Sequence, residues 1–361
     1  MSKPSPPTAS PAAPASHPSR LEATLTRNWL RRGPLACALW PLSLLFGALS
    51  GARARLYRAG LLRSTRLPVP VVVVGNIFIG GTGKTPLTIW LAQALRQAGF
   101  TPGVISRGHG SADRLPRPVR ADSSAQQVGD EPLLIARRAL CPVMVGRDRA
   151  AAGRALLAAH PEVDVLIADD GLQHYALQRD VEIVLFDGRG AGNGWLLPAG
   201  PLREPRTRAR DFTVVNTAQL SPALQARVAG PDGAATRMEL VGEFAERLAD
   251  RAERLPLAAL AGRRLVAAAG IGNPGRFFSM LAAHGLRFVE LPLPDHHDFL
   301  DQPFAAVDAD LILMTEKDAV KCAQIEHIKD DPRLWVVPVT ARIDAALAQR
   351  IVEKCRGRSP A

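Results

Sequence analysis

Residues 69–86 read Val-Pro-Val-Val-Val-Val-Gly-Asn-Ile-Phe-Ile-Gly-Gly-Thr-Gly-Lys-Thr-Pro. The branched apolar run Val69–Val74 has the pattern of a fully buried strand. A glycine-rich loop follows, and then a helical segment from Pro86 to Ala98. Strand, loop and helix stand in the order that a phosphate site requires. Glycines let backbone N–H groups close around a phosphate, and the helix N-terminus adds partial positive charge. On this pattern Gly80, Gly81, Thr82 and Gly83 form the cradle. Lys84 reaches the β- and γ-phosphates, and Thr85 ligates Mg²⁺. Pro86 suits the first helical turn, where its missing N–H costs nothing. The general pattern places glycine where Phe78 stands, so the paired glycines mark a variant loop. A chance glycine turn is the alternative, and the flanking strand, helix and Lys-Thr pair count against it.

The chain continues in the same alternation. Val104–Ser106, Pro142–Val145, Val163–Ala168, Val181–Phe186 and Phe212–Val215 read as buried strands, with helices beginning near Lys84, Glu131 and Arg147. The fold expected is α/β, a P-loop NTPase-type parallel sheet flanked by helices. Residues 218–262 read as mostly helical. A second α/β series follows at Leu265–Ala269, Phe288–Leu293, Leu311–Met314 and Trp335–Val339. The expected division is a first domain over 67–220 and a smaller second one over 221–361.

Residues 1–20, with six Pro, five Ser and four Ala, are expected to be a disordered tail. Residues 21–60 read as an amphipathic, membrane-associated segment. Leu21, Leu25 and Trp29 recur at helical spacing among arginines, which suggests an interfacial helix rather than one packed on its own domain. Residues 35–50 are almost wholly apolar, are interrupted by Pro41 and have arginines on both sides. The run is slightly short of the ~20 residues that span a bilayer core. A signal peptide would need a far shorter positive region. A core helix is possible, but flanking arginines that can reach headgroups favour a membrane-dipping or short spanning helix. Residues 1–66 carry ten basic side chains against one acid, which leaves only +2 of the net +11 to the other 295 residues. An anionic lipid surface is therefore the expected partner, and no motif for nucleic acid follows. Cys37, Cys141, Cys322 and Cys355 are far apart, which fits a reduced setting with neither disulfide framework nor zinc site.

Carboxylates follow the strands. Val163–Ala168 ends in Asp169-Asp170-Gly171-Leu172-Gln173-His174, where a P-loop site keeps a Mg²⁺ ligand. Either aspartate can serve, and a cap or turn is the alternative. Asp187 also ends a strand, but Gly188 and Gly190 suggest a plain turn. Asp130 and Glu131 stand where they can cap a helix. Arg203, in a rigid Pro/Gly loop, is a candidate for phosphate charge or for a surface pair with Glu204. In Asp295-His296-His297-Asp298, an acid/base histidine is favoured over a metal site.

Taken together, these motifs resemble the tetraacyldisaccharide 4′-kinases, which act on the lipid A precursor of Gram-negative bacteria. The matching stretches are Gly75-Asn76, Gly80–Pro86, Ser106-Arg107-Gly108, Gly129-Asp130-Glu131, Asp169–His174, Leu197–Glu204, Asp295-His296-His297 and Thr315–Lys321. Their order across residues 30–321 carries the specificity. The resemblance implies ATP, Mg²⁺, a tetraacylated glucosamine disaccharide 1-phosphate as acceptor, and the cytoplasmic face of the inner membrane. It implies that Asp130 takes the 4′-hydroxyl proton, with His296 as its partner from a second domain that closes the cleft. Arg203 and Glu204 are implied beside nucleotide and metal. Asn76, Arg107, His109, Glu131, Gln173 and His174 are implied on the acceptor side. His109 stands where the family usually has tyrosine, so a ring survives without its phenol.

Two rivals come from other classes. One is a P-loop GTPase or ATPase acting as a switch or metallochaperone. Thr315-Glu316-Lys317-Asp318 has the wrong spacing for the guanine-reading [NT]KxD, because Lys317 and Asp318 are adjacent. The other is a membrane protein with a decayed nucleotide site, and Lys84, Thr85 and Asp169 argue against it.

Overall fold

The computed structural model describes residues 28–108, 115–230 and 233–357. His109, the proposed tail and most of the 21–32 segment lie outside the described residues.

The first sheet is built from β1 (Val71–Gly75), β2 (Pro102–Ser106), β3 (Arg117–Val119), β4 (Val143–Val145), β5 (Val165–Asp169), β6 (Val181–Asp187), β7 (Phe212–Asn216) and β8 (Thr236–Val241). The chain then enters a second sheet made of β9 (Phe244–Arg247), β10 (Arg254–Pro256), β11 (Leu265–Ala269), β12 (Phe288–Pro292), β13 (Leu311–Thr315) and β14 (Leu334–Val337). It returns with β15 (Thr340–Ile343), which pairs antiparallel with β8 on the first sheet. The strand orders are β15-β8-β7-β6-β1-β5-β2-β4-β3 and β10-β9-β14-β13-β11-β12.

β1 lies at the centre of the first sheet, with parallel neighbours β5 and β6. Its valines alternate between two cores, which is why the run is apolar throughout. Val72 and Val74 pack with Leu87, Leu91 and Leu95 of the helix Lys84–Gln97. Val71 and Val73 pack with Leu67, Leu156 and Leu166 on the other face. Parallel pairing puts the carboxyl ends of β1, β2, β5 and β6 along one edge, where ligands of open α/β sheets bind.

Two expectations need correction. Residues 218–262 are not mostly helical: a short helix, Pro222–Val228, is followed by β8, β9 and β10. The division near 220 is also displaced. Residues through Val241 belong to the first sheet, and the chain crosses back at β15 before the helix Ala345–Arg356 packs against Lys84–Gln97. Two crossings near 242 and 338 therefore join the halves.

The apolar N-terminal run forms a 25-residue helix, Pro34–Arg58, that contains Pro41. It is longer than the apolar stretch alone indicated. By length and composition it can cross a membrane, and only 11% of its most apolar window is buried. Leu42, Leu44, Leu45 and Leu49 are exposed. Ser43 faces the protein, donating its hydroxyl to the Leu196 carbonyl at 2.6 Å and accepting from Ala199 N at 3.0 Å. The helix thus rests on the loop that leads to Arg203.

Candidate active site

The phosphate loop leaves β1 and enters the helix Lys84–Gln97 through Gly83, whose φ of +100° only glycine adopts readily. A side chain there would also meet Asn216, whose amide donates to the Thr82 carbonyl at 2.9 Å. Asn76 braces the loop from within. It is fully buried, donates to the Phe78 and Gly80 carbonyls, and accepts from Lys84 Nζ at 3.1 Å. Expected on the acceptor side, Asn76 spends its amide on loop shape. Thr85 is buried in the first helical turn, and the Thr82 hydroxyl is buried without a hydrogen-bond partner.

Asp170 stands at the centre of the charged groups. Its Oδ1 lies 3.6 Å from Lys84 Nζ, and its Oδ2 lies 3.5 Å from Arg203 Nη1. Arg203 pairs across the site with Asp170, so the alternative of a surface pair with Glu204 does not hold. Burial pushes the Asp170 carboxyl up, but Lys84, Arg203 and Arg149 more than offset this and hold it below the usual range. Its φ of +50° is uncommon for a residue with a side chain. Asp169, paired with Val74 across β5 and β1, behaves differently. Thr88 donates to its Oδ1 at 3.0 Å and Ser106 to its Oδ2 at 3.3 Å. Burial, and then the charges of Glu131 and Asp170, push it up to about 7.

Glu204 is fully engaged, accepting from Gln173 at 2.8 Å, Tyr175 at 2.7 Å and Arg208 at 2.7 Å. Arg53 of the N-terminal helix donates to the Gln173 carbonyl at 3.3 Å, which links the exposed helix to this network. His174 is kept neutral near this site: burial, and then Arg149, pull it down to about 4. Arg107 is exposed at the end of β2.

The second sheet supplies the rest. His296, in a left-handed conformation with φ of 61°, places Nδ1 3.0 Å from Asp130 Oδ2. Asp130 opens the helix Asp130–Ala139, and its Oδ1 accepts from Glu131 N at 2.9 Å. The N-cap of this helix is Gly129 and no side chain caps it, so Asp130 does not serve as the cap and its carboxylate turns to His296. Burial raises its pKa, but the His296 hydrogen bond, Lys317 and Lys321 outweigh burial and keep it well below the usual carboxylate range.

Several contributors carried no role in the sequence reading. Lys317 Nζ lies 3.1 Å from Glu131, 3.2 Å from Asp295 and 3.5 Å from His296 Nε2. Lys321 Nζ is 3.6 Å from Asp130 Oδ2. Both belong to the Thr315–Lys321 motif, but their targets are too distant in sequence for spacing to reveal. Asp187 is no plain turn: it is buried, chelated by Arg189 and bound by Arg276 Nη2 at 2.9 Å. Arg276 Nη1 donates to the Thr82 carbonyl at 3.2 Å. Gly272 sits so close that a Cβ there would lie 2.8 Å from Gly81 N. Asp318 has a structural post, bound by Gly270 N at 2.9 Å and Thr315 Oγ1 at 2.7 Å. His297, Asp298 and Asp301 cluster on the stretch just after His296.

The segment Gly270–Gly272 thus links the glycine loop, which Gly272 touches, to the Asp130–His296 pair, whose His296 N donates to the Gly270 carbonyl. The sequence pattern of the tetraacyldisaccharide-1-P 4′-kinases matches residues 35–356. The chain belongs to that family. It is 64% identical to the tetraacyldisaccharide 4′-kinase of Janthinobacterium sp. (strain Marseille), over 94% of this chain and 98% of that one. It is 60% identical to the enzyme of Herminiimonas arsenicoxydans, with the same coverage. Among solved structures, LpxK from Aquifex aeolicus in complex with ATP is similar, with a TM-score of 0.71 and 27% identity. That match covers 89% of this chain and 99% of the other.

Proposed function

We propose that the protein transfers the γ-phosphate of ATP to the 4′-hydroxyl of a tetraacyl glucosamine disaccharide 1-phosphate, a step in lipid A biosynthesis. The observation that carries this reading is the Asp130–His296 pair set opposite an intact phosphate loop. Family membership supplies the acceptor. A switch or metallochaperone has no need of a carboxylate–histidine pair facing its triphosphate.

Gly80–Gly83 hold the β-phosphate through backbone N–H groups, and Lys84 spans the β- and γ-phosphates. Thr85 and Asp170 would hold Mg²⁺. The fit rests on Asp170 Oδ1, which is buried with no hydrogen-bond donor, whereas both Asp169 oxygens are engaged. The ion would neutralise charge on the phosphate oxygens. Arg203, beside Asp170, would offset charge on the γ-phosphate.

Asp130 takes the 4′-hydroxyl proton as that oxygen bonds to phosphorus, the bond to the bridging β–γ oxygen breaks, and ADP leaves. His296 holds the carboxylate in place. In a loose phosphoryl-transfer transition state little early deprotonation is needed, so a carboxylate held ionised suffices. Arg107, Glu131, Gln173 and His174 line the acceptor side, and the second sheet closes the cleft. The exposed leucines of Pro34–Arg58, with its terminal arginines, seat the enzyme on the cytoplasmic face of the inner membrane, where a lipid-linked acceptor is found.

The test is incubation of purified protein with γ-labelled ATP, with and without the disaccharide lipid, and with GTP in parallel. Label on the 4′-oxygen, dependent on both lipid and ATP, is expected. Label release without lipid, at the same rate, would instead indicate a plain ATPase.

A further inference from the structure

Two short helices, one from each half, meet with matched charges along their length. The helix Asp130–Ala139 is acidic at its start and carries Arg138 near its end. The helix Glu316–Cys322 begins with Glu316 and carries Lys317 and Lys321 further on. The head of one meets the tail of the other. Asp130 faces Lys321 at 3.6 Å, Glu131 faces Lys317 at 3.1 Å, and Arg138 Nη1 meets Glu316 Oε2 at 2.5 Å. The contact continues past the second helix. Gln324 accepts from Ala125 N and donates to the Ser123 carbonyl, each at 2.9 Å. Glu316 is buried and also meets Arg251 at 3.4 Å.

We propose that this charge-matched helix pair sets the register in which the two halves close, with Arg138 and Glu316 as positioning residues for Asp130. The inference rests on the reading of Asp130 as the proton acceptor. Arg138 lies two helical turns from Asp130 and contacts no reacting group. What it controls is where Asp130 stands relative to His296. The register matters because the chain crosses between the halves near 242 and 338, beside which Arg138 and Glu316 line a common cavity with Glu246 and Arg251. A buried ion pair gives modest net stability but specifies one arrangement over its neighbours. A slip of a single helical turn would carry Arg138 from Glu316 toward Ala319 and Val320 and leave both charges without their partner.

The test uses the full chain with Arg138→Gln, Arg138→Lys, Glu316→Gln and the Arg138→Gln/Glu316→Gln double variant. Contacting residues couple, so each single Gln variant should lower kcat about tenfold, with KM for ATP within about twofold of wild type. The double variant should be no slower than the worse single one, and Arg138→Lys should retain most activity. Amide hydrogen exchange reports docking independently of chemistry. Glu316→Gln should speed exchange in Asp130–Ala139, and Arg138→Gln should speed it in Glu316–Cys322. Additive losses in the double variant, wild-type kcat in both singles, or faster exchange confined to the substituted helix would overturn the proposal. Should Asp130→Asn turn over like wild type, the base assignment fails, and the exchange measurements alone then decide whether the helices dock.

Discussion

His296 Nδ1 lies 3.0 Å from Asp130 Oδ2, although the residues are 166 positions apart, Asp130 at the start of a helix and His296 in the loop after β12. The hydrogen bond to Asp130 raises the His296 pKa; burial and Lys317 oppose it, and Asp295 assists. A histidine whose folded pKa is raised stabilises the fold fully below its unfolded value, about 6.5. That stabilisation is lost as pH rises through the folded value. His296→Gln should therefore lower Tm most below about pH 6.5, with the gap narrowing as pH rises. A gap that widens toward alkaline pH would mean that the imidazole is held neutral.

Lys84 and Arg203 flank Asp170, and phosphoryl transfer is catalysed chiefly by positioning and charge. Lys84→Ala should abolish transfer while leaving Tm close to wild type, because among the described residues the Lys84 ammonium pairs with Asn76 and Asp170 alone. Radiolabel transfer to the lipid checks this, and undiminished turnover would remove the phosphate-loop assignment.

Arg276 ties the second half to the phosphate loop at the Thr82 carbonyl. Arg276→Ala leaves Asp187 with Arg189 and the Thr82 carbonyl with Asn216, but removes the second half's hold on the loop. Hydrogen bonds to charged groups are worth about 1.5–3 kcal/mol, so KM for ATP should rise about tenfold or more. Steady-state kinetics with varied ATP measure this, and an unchanged KM would show that Arg276 does not shape the loop.

The membrane assignment is tested by changing the exposed face of the helix and leaving the packed one intact. Ser43 and Trp29 hydrogen-bond to the loop at Leu196–Ala199, so deleting the segment would damage the site as well. Leu42→Glu/Leu45→Glu/Leu49→Glu alters only exposed positions. Each buried leucine contributes about 2 kcal/mol, so the triple variant should pass from the pellet to the supernatant in membrane flotation. A variant that still floats would place the anchor elsewhere.

The first sheet was legible because β1, β5 and β6 are buried on both faces and read as continuous apolar runs. β8 to β10 were not legible. They carry Arg237, Glu239, Glu246 and Arg254, of which Glu246 is buried, so charge masked their alternation. The return of β15 to β8 is a pairing across about a hundred residues, which no local pattern encodes. The cradle was legible for the opposite reason, since Gly80–Thr85 is contiguous and its chemistry is local. Spacing alone gave Asp130 as a helix cap, and its meeting with His296 came only from resemblance. Lys317 and Arg276 had no local signal at all, because each acts across the interface.

The central claim is that Asp130 accepts the acceptor's proton while the phosphate loop holds ATP. Asp130→Asn keeps the shape and the hydrogen bond from Glu131 N but removes the basic oxygen. The decisive measurement is kcat and KM for ATP of this variant with the disaccharide lipid at saturation. The account predicts that kcat falls about 10²–10⁴-fold while KM for ATP changes little. A loss confined to KM, with kcat preserved, would contradict it and make Asp130 a structural residue.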